Sequence, residues 1–417
     1  MCIKVAWFSV IQLSDLSPCA SGTWISSMFH HLSQNNDIDI LANFYFAPID
    51  DIVIYQRDNV KEIAVPHDII NNKVHLLNSL IDIIVSLNVD ILHIWGTENN
   101  WGKLLLDYRL KDFRKLLEIQ GLKFFLQKKE IFYGGIQENK IKKMIGIKEL
   151  IYPRSRLYNI RCSYEMGIQD ELNVINQYKY IDTQSDWVRT LLKLQFPDKC
   201  YFNTDIILRD SFISSSEWYK EHRYNESPII FTTTSSIPYK GLHFLLSVMR
   251  LIVKRFPSVK LRVAGISIKK KTYKNSAYVN YLLYLIKRWN LADNVTFLGN
   301  LNEYELKSEM YKADVYVCPS YSESYSLALA EALAIGLPSI SAFTSALPEL
   351  IRDGIDGYLY PMNDEYICAD RILKIIKNPE QQIRFSQSSS IKIRQRINPT
   401  AIANNQVKIY QTIVCGK

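Results

Sequence analysis

The sequence predicts an α/β protein built from two doubly wound parallel-sheet domains, and three observations carry that expectation. The chain has 417 residues, enough for two domains of ordinary size. From Pro228 onward, strand-like runs near 229–233, 260–264, 295–298, 314–317, 338–342 and 357–360 alternate with helical runs at 241–255, 278–290, 303–312 and 326–335. Helices of that length between strands imply a parallel sheet covered on both faces. A similar alternation runs through the first half. The domains expected are therefore 1–212, 213–398, and a last helix over 399–417 that crosses back to the first. The polar stretch Ser211 to Ser227 reads as the linker.

In the first half, Ile3 to Phe8 reads as a buried strand, followed by a loop, Gly22 and a helix from Thr23 to Leu32. Asp37 to Phe46 holds a second strand and Asn71 to Leu87 a helix. Asp90 to Trp95 is a short apolar strand that ends in Gly96-Thr97-Glu98-Asn99-Asn100-Trp101-Gly102. Open α/β sheets place ligands at the carboxyl ends of their strands. Trp95, Glu98 and Trp101 are thus the residues expected at an acceptor cleft, while His93, in mid-strand, reads as a core histidine. Leu116 to Leu122 is the next strand and turn, and Lys179 to Thr183 another strand. Ser185 is the N-cap of a helix over 185–194.

Composition excludes several classes. Hydrophobic residues are 47% of the chain and charged residues 22%, as in globular proteins. Seven cysteines are scattered without a C-x-x-C, which fits a reducing compartment with neither disulfides nor a zinc site. The seven histidines show no metal-ligating spacing, so no metal or cofactor is expected. No apolar run reaches the ~18 residues of a membrane span, and the N-terminus reads as a strand, not a signal peptide. The expected location is the cytoplasm. The net charge of +8 is concentrated: 123–161 holds ten Lys/Arg against three Glu, interleaved with Phe124, Phe125, Ile131, Phe132, Tyr133 and Ile141. That mixture suits an anionic membrane surface, at the inner face of the cytoplasmic membrane, or a lipid-linked pyrophosphate. It equally suits a solvated basic surface. No nucleic-acid-binding motif accompanies it.

The most informative stretch is CPSYSESYSLALAEALAIGLP, Cys318 to Pro338. A strand feeds a Ser-rich loop and then an Ala/Leu helix closed by Gly336 and Pro338, with Ser324 or Ser326 as N-cap. Such a helix N-terminus attracts an anion. Glu323 lies in the loop. Glu331 lies in the helix between apolar neighbours, roughly 7–8 Å from the anion end at helical rise, about the distance from a diphosphate to its ribose. Lys240-Gly241, before an amphipathic helix, forms a second phosphate element, with Lys240 as a point charge.

The E-x7-E spacing of Glu323 and Glu331, followed by A-x-A-x-G-x-P, resembles the donor-binding motif of family 4 retaining glycosyltransferases, and the I-Q-G at Ile119 to Gly121 resembles a subgroup found in bacterial capsule, O-antigen and exopolysaccharide clusters. The resemblance is strong over the second half and weak over the first. It implies the GT-B fold, with two Rossmann-like domains facing across a cleft. It further implies that Glu323 approaches the donor sugar and Glu331 holds the ribose. The diphosphate would lie against Gly22, Lys240 and the backbone of Ser324, Tyr325, Ser326 and Leu327, and the base against Gly299 and Leu301. Two departures stand out. Gln120 occupies the place of a family His near the reacting centre, and Gln cannot act as a base at neutral pH. Thr234, with Ser235 beside it, replaces an Arg that contacts the diphosphate.

The expected function is retaining transfer of a hexose-type sugar from a nucleoside diphosphate sugar, by preference UDP-linked, to a glycan, lipid-linked acceptor in bacterial surface polysaccharide synthesis. Glu323 and Gln120 are the catalytic candidates. The alternatives are a GT-B sugar-nucleotide epimerase and a catalytically silent partner that binds nucleotide or membrane.

Overall fold

The computed structural model describes residues 2–13, 23–57, 59–69, 74–221, 227–269 and 275–416. It divides into two compact units, one made of Met1–Leu122, Gln169–Arg209 and Ile397–Lys417, the other of Lys123–Ile168 and Asp210–Arg396.

Unit 1 is an eight-stranded sheet of β1 Ile3–Phe8, β2 Ile38–Ala47, β3 Val53–Arg57, β4 Val60–Pro66, β5 Ile91–Trp95, β6 Arg114–Ile119, β7 Tyr180–Thr183 and β8 Cys200–Asn203. The order is β3-β4-β2-β1-β5-β6-β7-β8, and every pairing is parallel except β3 with β4. The central strand β5 is buried throughout and β1 is buried except at Lys4, as a parallel sheet covered by helices requires. The last helix, Pro399–Cys415, belongs to this unit, as expected. It packs against Thr23–Leu32 and β1, and its Tyr410 hydroxyl accepts from Trp7 Nε1 at 3.2 Å. Ser185 is the N-cap expected of helix Asp186–Gln195 and accepts from Val188 N.

Unit 2 is a six-stranded, fully parallel sheet of β9 Ile229–Thr233, β10 Lys260–Ala264, β11 Val295–Gly299, β12 Val315–Cys318, β13 Ser339–Ala342 and β14 Tyr358–Tyr360, in the order β11-β10-β9-β12-β13-β14. These six strands and the helices Leu242–Val253, Ala277–Arg288, Glu303–Lys312 and Leu327–Ile335 fall within two residues of where the sequence places them. The chain order reverses between β9 and β12, and such a switch point opens a crevice at the carboxyl ends of the two strands.

Two expectations differ from what is seen. The basic segment 123–168 packs with unit 2, although it lies within the sequence of the expected first domain. Its Phe132, Tyr133, Ile136 and Ile141 are buried in the same apolar cluster as Leu242, Leu245 and Tyr278. The described part of 211–227 is no free linker. It forms the helices Asp210–Ile213 and Trp218–Glu221, and Trp218 is fully buried, its indole donating to Ala313 O at 2.9 Å. The hairpin β3–β4 was not anticipated, nor was the twenty-residue helix Leu157–Asn176.

Candidate functional site

The switch point of unit 2 gathers most of the expected donor residues. After β9 the chain runs through Thr234 and Ser235 to a 3-10 turn at Pro238–Lys240 and then Gly241, whose φ is +74°. A Cβ on Gly241 would stand 2.0 Å from Pro319 O, so only glycine allows the two loops to approach this closely. Tyr321 N donates to Tyr239 O at 2.7 Å and laces the loops together. The result is an ion pair: Lys240 Nζ donates to Glu323 Oε1 at 2.7 Å, both side chains being partly buried. Burial works against the Lys240 ammonium, but the Glu323 carboxylate outweighs it and holds the lysine pKa above its ordinary value. Burial, followed by the charge of Glu323, also pushes the Cys318 thiol up to about 11, so it stays neutral.

Helix Leu327–Ile335 starts beside this pair. Ser326 occupies the N-cap position but does not cap with its side chain. Its backbone is left-handed, at φ +85°, and its hydroxyl lies 3.8 Å from Cys318 Sγ. A non-glycine residue held in that region is strained, and such strain concentrates at functional sites. Ser324 and Leu327 flank it half-buried, and Tyr325 is buried beneath the Arg396 guanidinium. Glu331 lies in the second turn of the helix and is buried, as its apolar neighbours predict.

Thr234 donates its N–H to Ala264 O at 3.0 Å and is half-buried with Ser235. Gly265 N donates to Gly299 O at 2.7 Å, and Gly299, at φ +75°, ends β11. Leu301 follows it, half-buried, just before a capping box at Asn302 and Glu305. β11 is two strands from β9, roughly 10 Å at sheet spacing. The residues expected to read a base thus lie farther along the carboxyl edge than Lys240 and Glu323.

In unit 1, Gly22 lies outside the described residues. Gln120 follows β6, half-buried. A Cβ on Gly96 would meet Glu98 Oε2 at 2.4 Å and Gln120 Oε1 at 3.3 Å, and one on Gly121 would meet Glu98 Oε1 at 2.7 Å. The two glycines therefore leave the room in which Glu98 and Gln120 converge. Trp95 and Trp101 do not join them. Trp95 is fully buried against Trp7, Trp24 and His93, with ring centroids 4.7, 5.3 and 4.0 Å away. Trp101 is fully buried, stacked on Phe46, with its indole donating to Ser9 O at 2.9 Å. Both are core residues: the large apolar area of an indole favours burial. His93 is the core histidine expected. Burial lowers its pKa to about 3, and Nδ1 is 2.7 Å from the Tyr410 hydroxyl.

Two carboxylates went unnoticed in the sequence. Glu118 on β6 and Asp182 on β7 are register partners, both buried. Burial raises both pKa values, with each charge opposing a neighbouring one: Glu98 acts on Glu118, and Glu118 on Asp182. Gln184 Nε2 donates to Glu118 Oε1 at 2.8 Å, and Thr204 Oγ1 to Asp182 Oδ2 at 2.7 Å. A single acid inside each of the apolar runs KLLEI and YIDT was the available signal. Among the described residues no group of three or more His, Cys, Asp or Glu is placed to hold a metal, and no helix is long and apolar enough to cross a membrane.

Residues 215–390 match the family model described as Glycosyl transferases group 1. Among curated proteins, the phosphatidyl-myo-inositol mannosyltransferase of Mycobacterium leprae is 24% identical over 186 residues, 44% of this chain and 46% of that protein. A protein of Salmonella typhimurium named as a colanic acid biosynthesis glycosyltransferase (WcaL) is 28% identical over 181 residues, 42% of each. The chain spans about half the length of the curated relatives it matches. Among solved structures, sucrose-phosphate synthase from Thermosynechococcus elongatus aligns over all of both chains at 16% identity and TM-score 0.70. HepE of Anabaena, in complex with UDP and glucose, aligns over 97% of this chain and 98% of that one at 14% identity and TM-score 0.67. The chain has the GT-B fold, and within it residues 215–390 match the group 1 glycosyl transferase domain.

Proposed function

We propose that the protein is a retaining glycosyltransferase that moves a hexose-type sugar from a nucleoside diphosphate sugar, UDP-linked, to a lipid-linked glycan acceptor in bacterial surface polysaccharide synthesis. The observation that carries this reading is the Lys240–Glu323 pair beside the N-terminus of helix Leu327–Ile335, at the switch point of the unit that matches the transferase family. Lysine has three donors, so Lys240 keeps Glu323 and still offers an N–H to a phosphate oxygen. The leaving diphosphate gains negative charge as the bond from the sugar breaks. Lys240 and the helix N-terminus, both fixed before reaction, stabilise it where it develops. Glu323, oriented by Lys240, faces the donor sugar hydroxyls, and Glu331 takes the ribose. Glu98 and Gln120 are assigned to the acceptor, with Gln120 as a hydrogen-bonding group and not a base.

The donor is named by analogy with the UDP and UDP-glucose bound to HepE, and the acceptor class by the names of the curated relatives. The test is incubation with UDP-, GDP- and dTDP-sugars and lipid-linked oligosaccharide. Release of one nucleoside diphosphate that requires acceptor supports the reading. Sugar-nucleotide conversion without acceptor points to an epimerase, and no turnover with any donor overturns it.

A further inference from the structure

Among the described residues, Ile145 to Tyr152 carries five exposed large apolar side chains within eight positions. Ile145 is 44% exposed, Ile147 52%, Leu150 62%, Ile151 63% and Tyr152 63%. Exposed apolar side chains forgo the gain that burial would bring, and clustered exposed apolar groups mark interaction sites.

The exposure is not the result of a loose loop. Helix Ile147–Ile151 is fastened to unit 2 through Glu149, its one inward-facing polar residue, which is 1% exposed. Glu149 Oε1 accepts from Ala277 N at 2.8 Å, at the first turn of helix Ala277–Arg288, and Oε2 accepts from Gly146 N at 3.1 Å. Arg156 Nε donates to Glu149 O at 3.1 Å and fastens the far end. With the carboxylate turned in, residues 147, 150 and 151 are turned out by helical geometry.

The unpaired charge within and beside this segment of the chain is of one sign. Lys143, Lys148 and Arg154 are exposed and form no ion pair among the described residues. Glu149 is the only acid between 144 and 155 and is consumed internally. A protein partner is ordinarily met by a mixture of charges at the rim. An apolar centre with an aromatic residue and unopposed cations fits an anionic bilayer, where Ile and Leu enter the acyl boundary, Tyr sits at the headgroups and cations meet phosphate.

We propose that residues 145–154 are a membrane-docking surface for anionic phospholipid, carried by the unit that holds the candidate donor site. The proposal goes beyond the transfer reaction and does not depend on it, since its readout is partitioning and not turnover.

The experiment is co-sedimentation of the full chain with vesicles of phosphatidylglycerol mixed into phosphatidylcholine, and with phosphatidylcholine alone, at low and high salt. Binding is expected to require phosphatidylglycerol and to weaken at high salt. The variant Leu150→Asp/Ile151→Asp should lose binding by more than tenfold while keeping the wild-type unfolding temperature. Lys143→Gln/Lys148→Gln, which leaves the apolar residues intact, should lose about fivefold per cation removed, the factor that ~1 kcal/mol per charge gives. Equal partitioning of wild type and both variants, or no binding to phosphatidylglycerol, overturns the proposal. So does self-association of the wild type that Leu150→Asp/Ile151→Asp abolishes, which would make a second copy of the chain the occupant.

Discussion

Lys240 Nζ and Glu323 Oε1 are 2.7 Å apart, although 83 residues separate them in the chain. The contact exists because the β9 and β12 loops meet at the switch point of the sheet; each partner fixes the other's place, and Glu323 holds the Lys240 pKa above its ordinary value. Lys240→Ala should weaken diphosphate binding by about ten- to one hundredfold, the loss of one charge-assisted hydrogen bond. Glu323→Gln should bind UDP at least as tightly as wild type, because it frees the ammonium, while transfer collapses. Calorimetric titration with UDP, set beside turnover, separates the two effects.

Gly241 is the hinge of that meeting. Gly241→Ala places a Cβ 2.0 Å from Pro319 O and forces alanine into φ +74°. The strain alone costs ~1–3 kcal/mol, and the clash adds to it. Denaturant unfolding should show the loss, and nucleotide affinity should fall because the two loops separate.

The acids of unit 1 give it a pH dependence of definite sign. Burial raises the Glu118 and Asp182 pKa values above their unfolded ones. The stability each contributes is fully present below the unfolded carboxylate pKa, ~4, and is lost as pH rises through the folded value. His93 acts in the other direction. Burial lowers its pKa from 6.5 to about 3, so its contribution is present above 6.5 and lost as pH falls through about 3. Glu118→Gln should remove much of the decline towards alkaline pH and leave the acid limb unchanged. Unfolding midpoints of both proteins across that range check this, and parallel curves would contradict it.

Trp218 tests the role of 210–221. Were the segment a linker, Trp218→Ala would be nearly silent. Buried with its indole bonded to Ala313 O, it should cost about 3–5 kcal/mol, read from the unfolding midpoint.

The second half of the chain was legible because its signals are local. Strand runs of four or five residues alternate with capped amphipathic helices, and Glu331 in an Ala/Leu helix stands out as a carboxylate needing a reason. The first half is harder to read because apolar content does not tell a ligand-facing residue from a core one. Trp95 and Trp101 end or follow β5 at the carboxyl edge where open sheets place ligands, yet both indoles are buried in the core. The placement of 123–168 in unit 2 rests on contacts between residues as far apart as Gly134 and His243, which no local pattern records. Ser326 could be read as an N-cap from its type, but not as left-handed backbone, a conformation that a non-glycine residue type does not announce.

The most direct test of the account is thermal unfolding of wild type, Lys240→Ala and Glu331→Ala with UDP, GDP, dTDP and inorganic pyrophosphate. Ligand at about one hundred times its Kd should stabilise the wild type by ~2.7 kcal/mol. The account predicts a shift with one nucleoside diphosphate, UDP, that Lys240→Ala diminishes for UDP and pyrophosphate alike, and that Glu331→Ala diminishes for UDP only. No shift with any nucleotide, or equal shifts in all three proteins, would contradict the assignment of a nucleotide site to unit 2.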